Sequence, residues 1–545
     1  MKKILFCSEA SWYATGYSVY TKEVLSRLSQ IDEFEVAELG CYAQTSDAQD
    51  KNLPWKFYGN KPDPNSPEYQ SYSGNPSAQF GDQSFNSVLL DFKPDIVMDI
   101  RDWWMIEYQQ RSPFRDFFHW SIMPTVDAEP QADQWINTYA SADSVFAYSE
   151  FGRDTMVNQC DDINFIDIAS PAANSCFSPV SSKAEHKISM GVSPDSFIVG
   201  TVMRNQRRKL YPDLLESFKR FLDETQDPNA FLYCHTYYPD VGWDLPRLIH
   251  EYGLASRLLI TYKCKNCKKL SIDFFQNSIQ HCPHCQSLTN HMVGIANPAS
   301  DEELAKVYNC FDIYVQYANS EGFGMPQLEA ASCALPVIST HYSAMESVVK
   351  NIGGYGVIPK QYYVECETGC KRAVPDNDSF VGLLKQLHGQ KENLQELGNQ
   401  VRSRALNHYS WDKASDAWAK HFKTIEQKDP STTWNSPAKI FEPAKQLPQG
   451  LSSTADAVNY IFTDILHKPE WIGGYLWKRV LRDVSFGYRC ENMDKGFYFN
   501  ESHLKGQNSN SPFSLEQACE EMVNFRNQLN NWEQIRMQKI QEAAR

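Results

Sequence analysis

Ser320-Glu321-Gly322-Phe323-Gly324-Met325-Pro326-Gln327-Leu328-Glu329-Ala330 is the stretch on which the fold turns. An apolar, β-branched run over 313–317 leads into it and predicts a buried strand. Gly322 and Gly324 bracket a loop whose backbone can approach a ligand closely. Pro326 then falls in the first turn of a helix, where proline is tolerated. Backbone N–H groups left free at such a helix start can bind phosphate or polar sugar oxygens. Glu321 stands at the C-terminal end of the strand, where ligands bind in open α/β sheets. Glu329 lies about a turn inside the helix, so the two carboxylates can accept hydrogen bonds from two separated sets of hydroxyls. Local physics alone reads equally well as an ordinary βα turn, with carboxylates drawn to the helix dipole.

Outward from this unit the same alternation recurs. Strands are expected at 3–7, 95–100, 144–148, 197–202, 230–234, 257–261, 313–317, 336–339 and 356–358. Helix patterns such as 19–28, 212–222 and 302–308 lie between them, and Ser300 with Glu303 spells a capping box for the last. Alternating βα over about 400 residues predicts parallel sheets wrapped by helices, too long for one doubly wound sheet. The chain therefore reads as α/β, with an N-terminal Rossmann-like domain over 1–175 and a second over 176–427. The Ser-, Pro- and Ala-rich segment around 171–187 makes the join.

With 42% hydrophobic and 22% charged residues, the 545-residue chain is neither disordered nor collagen-like. Its net charge of −15 argues against a wholly basic nucleic-acid binder but permits a local basic patch. No stretch approaches a membrane span. Met1-Lys2-Lys3-Ile4-Leu5-Phe6-Cys7-Ser8-Glu9 meets an acidic residue too early for a signal peptide and reads as a first strand. Fifteen scattered cysteines suit reduced, cytoplasmic thiols with one metal site better than a disulfide framework.

Glu321 and Glu329 form an E-x7-E motif in EGFGMPQLEA, followed by Ala334-Leu335-Pro336-Val337-Ile338. This closely resembles the retaining GT-B glycosyltransferases of glycosyltransferase family four. The resemblance implies two Rossmann-like domains around a cleft and a nucleoside-diphosphate-sugar donor. It also implies retention at the anomeric carbon and no catalytic metal. Carried over, Glu321 contacts the donor sugar, Gly322, Phe323 and Gly324 line the donor with backbone amides, and Glu329 accepts the ribose. The family usually has glycine where this chain has Ala334.

Upstream, Arg204-Asn205-Gln206-Arg207-Arg208-Lys209 follows an apolar run and resembles the family's strand-end segment. An Arg and a Lys five residues apart can clamp a diphosphate, the Arg bidentately and the Lys as a point charge. The resemblance gives that role to Arg204 and Lys209, with Arg207 and Arg208 as competing cations. Thr15-Gly16-Tyr17 resembles the glycine-bearing loop over the donor phosphates. Met123-Pro124-Thr125-Val126-Asp127-Ala128-Glu129-Pro130 resembles the acceptor-side region. Asp127 is its candidate contact to acceptor or reacting sugar, unless it merely caps a helix. His119 lies nearby, poorly aligned with any pattern. Tyr409-Ser410-Trp411 and the helix after it, 409–427, resemble the GT-B crossing helix. The resemblance covers about residues 1–425.

Cys264-Lys265-Asn266-Cys267 and Cys282-Pro283-His284-Cys285 enclose 14 residues. Two such knuckles read as a tetrahedral four-cysteine structural zinc site, a ribbon inserted over 262–290 with no open catalytic position. Lys263, Lys265, Lys268 and Lys269 make it basic, and Phe274 and Phe275 add aromatic surface. It either binds nucleic acid by phosphate contacts and stacking, or is a small domain that stiffens a loop or packs on the tail. Cys366 and Cys370 read as free thiols.

A linker is expected over 428–455 and a mainly helical tail over 456–545. Ser514 and Gln517 form a capping box there, and Leu515, Ala518, Met522, Phe525, Leu529 and Trp532 make a heptad seam. That helix either packs on its own domain or joins a partner, including a second copy of the chain. The acceptor is left open between a glycan, a protein and modified DNA. Two other classes compete: a nucleotide-sugar-binding module without turnover, and a zinc-ribbon nucleic-acid adaptor.

Overall fold

A computed structural model describes residues 1–429 except 111 and 113, together with 433, 434 and 463. The tail's capping box and heptad seam lie outside the described residues.

The N-terminal sheet contains β1 (Lys2–Glu9), β2 (Phe34–Cys41), β3 (Lys56–Gly59), β4 (Ile96–Asp99), β5 (His119–Ile122), β6 (Ser144–Ala147) and β7 (Phe165–Ile168). It is parallel, in the order β3-β2-β1-β4-β5-β6-β7. The second sheet contains β8 (Phe197–Val202), β9 (Ala230–His235), β10 (Leu258–Cys264), β11 (Leu270–Phe274), β12 (Asn290–Met292), β13 (Ile313–Gln316), β14 (Val337–Thr340) and β15 (Tyr355–Val357). Its order is β11-β10-β9-β8-β13-β14-β15, with β12 paired to β10. Helices cover both faces, and the central parallel strands are almost wholly buried, as parallel sheets require, while the edge strands are partly exposed. This is the two-domain GT-B arrangement that the sequence predicts.

The differences are local. Four strands of the first sheet, β2, β3, β5 and β7, are additional to those expected. β10 runs three residues beyond 261, because β11 and β12 pair antiparallel with its far end. Phe274 and Phe275 are corrected from exposed aromatic surface to half-buried packing, since β11 folds them back on the domain core. A hairpin, β16 (Pro359–Val364) and β17 (Lys371–Pro375), stands apart from both sheets.

The helix Trp411–Thr424 returns the chain to the first domain. Ser410 caps it by accepting from the Lys413 amide at 3.1 Å. Trp411, Ala414, Ser415, Trp418, Ala419 and Phe422 form its buried stripe. Trp418 stacks on Phe146 with centroids 3.8 Å apart and donates its indole N–H to the Tyr20 hydroxyl at 2.8 Å. Lys2 closes the helix C-terminus, donating to the carbonyls of Phe422 and Lys423 at 2.9 and 2.7 Å. Trp418→Ala is expected to lower the unfolding free energy by about 3–5 kcal/mol in urea titration. Exposed Lys420→Ala should change it by less than about 0.5 kcal/mol.

Candidate functional site

The loops at the C-terminal ends of the two sheets face each other across a cleft, and Glu321 lies at its floor. From β13 the chain passes through Tyr317, Ala318, Asn319 and Ser320, all buried, so Glu321 arrives with 5% exposure. A carboxylate so placed needs compensation. Lys209 pairs directly with it. Gln316 donates to it at 2.9 Å, and the Arg208 guanidinium stands 3.5 Å away. The Glu321 amide donates to the Ser343 hydroxyl at 2.9 Å.

The glycines of the motif face the opposite domain. A Cβ on Gly322 would lie 2.2 Å from Thr125 Cγ2. Gly324 has φ +85°, a conformation glycine adopts without penalty. Phe323 is buried against Tyr409 with centroids 5.8 Å apart. Across the cleft, Gly16 opens the helix Gly16–Leu28, and its Cβ position is 3.8 Å from Met325 Sδ, at the start of the helix Met325–Ser332. Two helix N-termini thus converge on one space, which favours an anion there. Thr15 caps the first of them, accepting from the Ser18 amide at 3.2 Å.

Glu329 projects from the second helix and accepts from the Tyr308 hydroxyl at 2.6 Å. Burial pushes its carboxyl up to about 7, a rise that the Tyr308 hydrogen bond opposes. Arg204 is held elsewhere: its guanidinium binds Asp240 bidentately at 2.9 and 3.0 Å. The cations on Glu321 are therefore Lys209 and Arg208, while the half-exposed Arg204 is held by Asp240. Asp127 lies at the cleft but caps no helix; it accepts from Arg372 at 2.8 Å and from Ser320 at 3.3 Å. His119 begins β5 at the far end of the sheet, bonded to Ser144 at 3.1 Å. Burial pushes it down to about 4, and the cleft does not include it.

Several members of the site escape sequence reading. Tyr17 and Thr125 share a hydrogen bond of 2.8 Å beside Asp102, whose carboxyl burial pushes up to about 7. Asp102 follows the end of β4, and a strand-end carboxylate was its one visible signal. Arg372 and Tyr308 become neighbours of the motif only through tertiary packing.

The four cysteines of the ribbon converge, with all Sγ atoms within 4.8 Å of one another. Cys264 and Cys285 are 3.7 Å apart, and Cys267 and Cys282 are 3.6 Å apart. A tetrahedron with metal–sulfur bonds of about 2.3 Å has edges of about 3.8 Å, so the set fits a tetrahedral ion. Two neighbouring histidines are engaged elsewhere: His281 on the Gln286 carbonyl at 3.1 Å and His284 on that of Leu270 at 3.0 Å. Lys265, Lys268 and Lys269 are exposed, whereas Lys263 is paired with Glu303 at 2.6 Å.

The family described as Glycosyl transferases group 1 matches residues 284–366, which include the E-x7-E segment. D-inositol 3-phosphate glycosyltransferase of Rhodococcus erythropolis is 29% identical over 126 residues, 23% of this chain. The match spans a quarter (25%) of that relative's length. Among solved structures, sucrose-phosphate synthase from Thermosynechococcus elongatus superposes with a TM-score of 0.55 at 15% identity, covering 78% of this chain and 98% of its own. Anabaena HepE in complex with UDP and glucose gives 0.55 at 12% identity, covering 78% and 100%. These likenesses establish the GT-B fold.

Folded Glu329 holds its proton up to about pH 7, whereas the unfolded carboxyl releases it near its ordinary value of 4.5. Its contribution to stability is therefore complete below that value and is lost as pH rises to about 7. Urea titrations across this range are expected to show a flatter pH dependence for Glu329→Gln than for the wild type.

Proposed function

We propose that the protein is a glycosyltransferase that takes a sugar from a nucleoside-diphosphate-sugar bound in the cleft and moves it to an acceptor hydroxyl. One observation carries this reading: the buried Glu321 carboxylate pairs with Lys209 beside Arg208, in a loop that leads into one of two converging helix N-termini, and Glu329 lies in the helix that this loop opens. A diphosphate leaving group develops negative charge, and preorganised cations with helix-start amides stabilise it without reorganisation. They take the part a divalent cation plays in other phosphate sites. Arg204 joins them when a diphosphate competes with Asp240 for its guanidinium. Donor binding draws Lys209 toward phosphate and frees the Glu321 carboxylate to accept from the sugar hydroxyls. Glu329 accepts from the ribose, with Tyr308 fixing its orientation. The solved structure of HepE with UDP and glucose supports a uridine nucleotide as the first donor to test. Retention at the anomeric carbon rests on the motif's resemblance to retaining enzymes.

The four cysteines hold one structural zinc ion in this reading. Four thiolates fill a tetrahedral shell, so the ion would contribute folding energy and leave no coordination position for substrate.

Thermal unfolding with UDP-, GDP-, ADP- and TDP-sugars tests the donor site. The cognate donor at about 100 times its dissociation constant should add about 2.7 kcal/mol of stability. Glu329→Ala should lose that gain, whereas Glu321→Ala should keep nucleoside-diphosphate binding and lose about 100-fold or more in turnover. A flat response of the wild type to all four donors would refute the reading. Elemental analysis should find one zinc per chain, absent in Cys264→Ser/Cys282→Ser, with a lower melting temperature for the variant.

A further inference from the structure

The hairpin β16–β17 belongs to the second domain by sequence, yet its returning strand is fastened to the first. The Lys371 amide donates to the Glu129 carbonyl at 2.8 Å, a backbone bond between domains. Lys371 Nζ stands 3.6 Å from the Glu129 carboxylate, and the Cys370 thiol donates to the Pro130 carbonyl at 3.1 Å. Tyr342 braces the junction, donating its hydroxyl to the Lys371 carbonyl at 2.8 Å.

Arg372 lies at the centre of this contact with 7% exposure. Its Nε and one terminal nitrogen donate to Glu365, within the hairpin, at 3.1 and 2.7 Å. The other terminal nitrogen donates to Asp127 of the first domain at 2.8 Å and to the Ser320 hydroxyl at 2.6 Å. Ser320 immediately precedes Glu321, and the Ala373 amide donates to the Asn319 carbonyl at 3.1 Å. One guanidinium thus touches the hairpin, the opposite domain and the loop that carries the buried carboxylate.

We propose that the hairpin is an interdomain latch and that Arg372 is a positioning residue, which sets the Ser320–Glu321 loop only when Asp127 has closed on it. Glu365 is the guanidinium's permanent partner, because both sit on the hairpin. Asp127 is its conditional partner, present when the domains meet. Separation leaves the guanidinium with Glu365 and Ser320 and turns Asp127 to water, so closure adds a charge-assisted hydrogen bond to a guanidinium already held in place. Asp127 then works by holding the cleft shut, with its carboxylate engaged by Arg372 and Ser320.

The test has two arms, both on the full chain. Hydrogen exchange of the peptide containing Lys371 reads the latch without any donor. Arg372→Gln should accelerate it about tenfold or more, with the β13 peptide unchanged. Asp127→Asn, which keeps the Arg372–Glu365 pair, should do the same and covers the case in which Arg372→Gln does not fold. Exchange unchanged in the folded variants would overturn the latch.

The second arm, UDP-glucose turnover, rests on the transferase reading. Arg372→Gln should lower kcat at least tenfold with UDP affinity within twofold, and Arg372→Lys should recover part of the loss. Faster exchange with unchanged kcat would overturn the positioning role. A wild type that binds no donor sugar, yet shows the exchange response, would sink the transferase reading and keep the latch.

Discussion

Glu321 has almost no water to answer its charge, and the architecture around it follows from that. Compensation comes from beside two strands: Gln316 at the end of β13, and Lys209 with Arg208 beyond β8; Ser343, beyond β14, holds the backbone in place by accepting the Glu321 amide. Ser343 bears a cost for its part. It sits at φ 56°, ψ −153°, a region that residues with a side chain rarely occupy, worth about 1–3 kcal/mol of strain. In that conformation its hydroxyl accepts the Glu321 amide, so the loop after β14 is bent to serve the loop after β13. The same constraint fixes the cleft wall: once Glu321 is pinned, Gly322 must pass against Thr125, and only a residue without a Cβ fits.

The central strands of the second domain, β8, β9, β10, β13 and β14, were legible because they are buried on both faces, whereas its partly exposed additions β11, β12, β16 and β17 were not. An apolar run such as 197–202 therefore marks its strand to the residue. The first domain hid more. β2 carries Glu38, a buried carboxylate that accepts from Ser11 and Trp55, so the strand lacks a clean apolar pattern. β7, at the sheet edge, is only partly buried. The site divides in the same way. Glu321, Glu329 and Lys209 announce themselves through local spacing. Asp102, Tyr308 and Arg372 matter because of what packs on them, and no spacing encodes that. Ala334 is instructive in another sense: it stands at φ 57°, where glycine is the easier choice. The helix Leu394–His408 can close over this turn because Gly398 brings no Cβ there; one would lie 1.9 Å from the Ala334 carbonyl.

The ribbon is built by prolonging a sheet strand rather than by hanging a separate domain on a loop. β10 pairs with β9 at its start and ends at Cys264, a member of the cysteine cluster. After the returning strand β12, Asn297 donates to the Lys263 carbonyl of β10 and Lys263 pairs with Glu303, which joins the ribbon to the helix Asp301–Tyr308. That helix ends at the tyrosine that orients Glu329. The cysteine cluster and the second carboxylate of the motif are therefore parts of one continuous framework.

The crossing helix decides where the rest of the chain begins. After Thr424 the backbone runs along the first domain, and Trp434 is buried between Phe114 and Phe117 beside the start of β5. That anchor lies at the N-terminal ends of the strands, across the sheet from the cleft. The backbone that Trp434 anchors is thus fastened to the half of the molecule that carries Asp127, at the end of the sheet opposite the cleft.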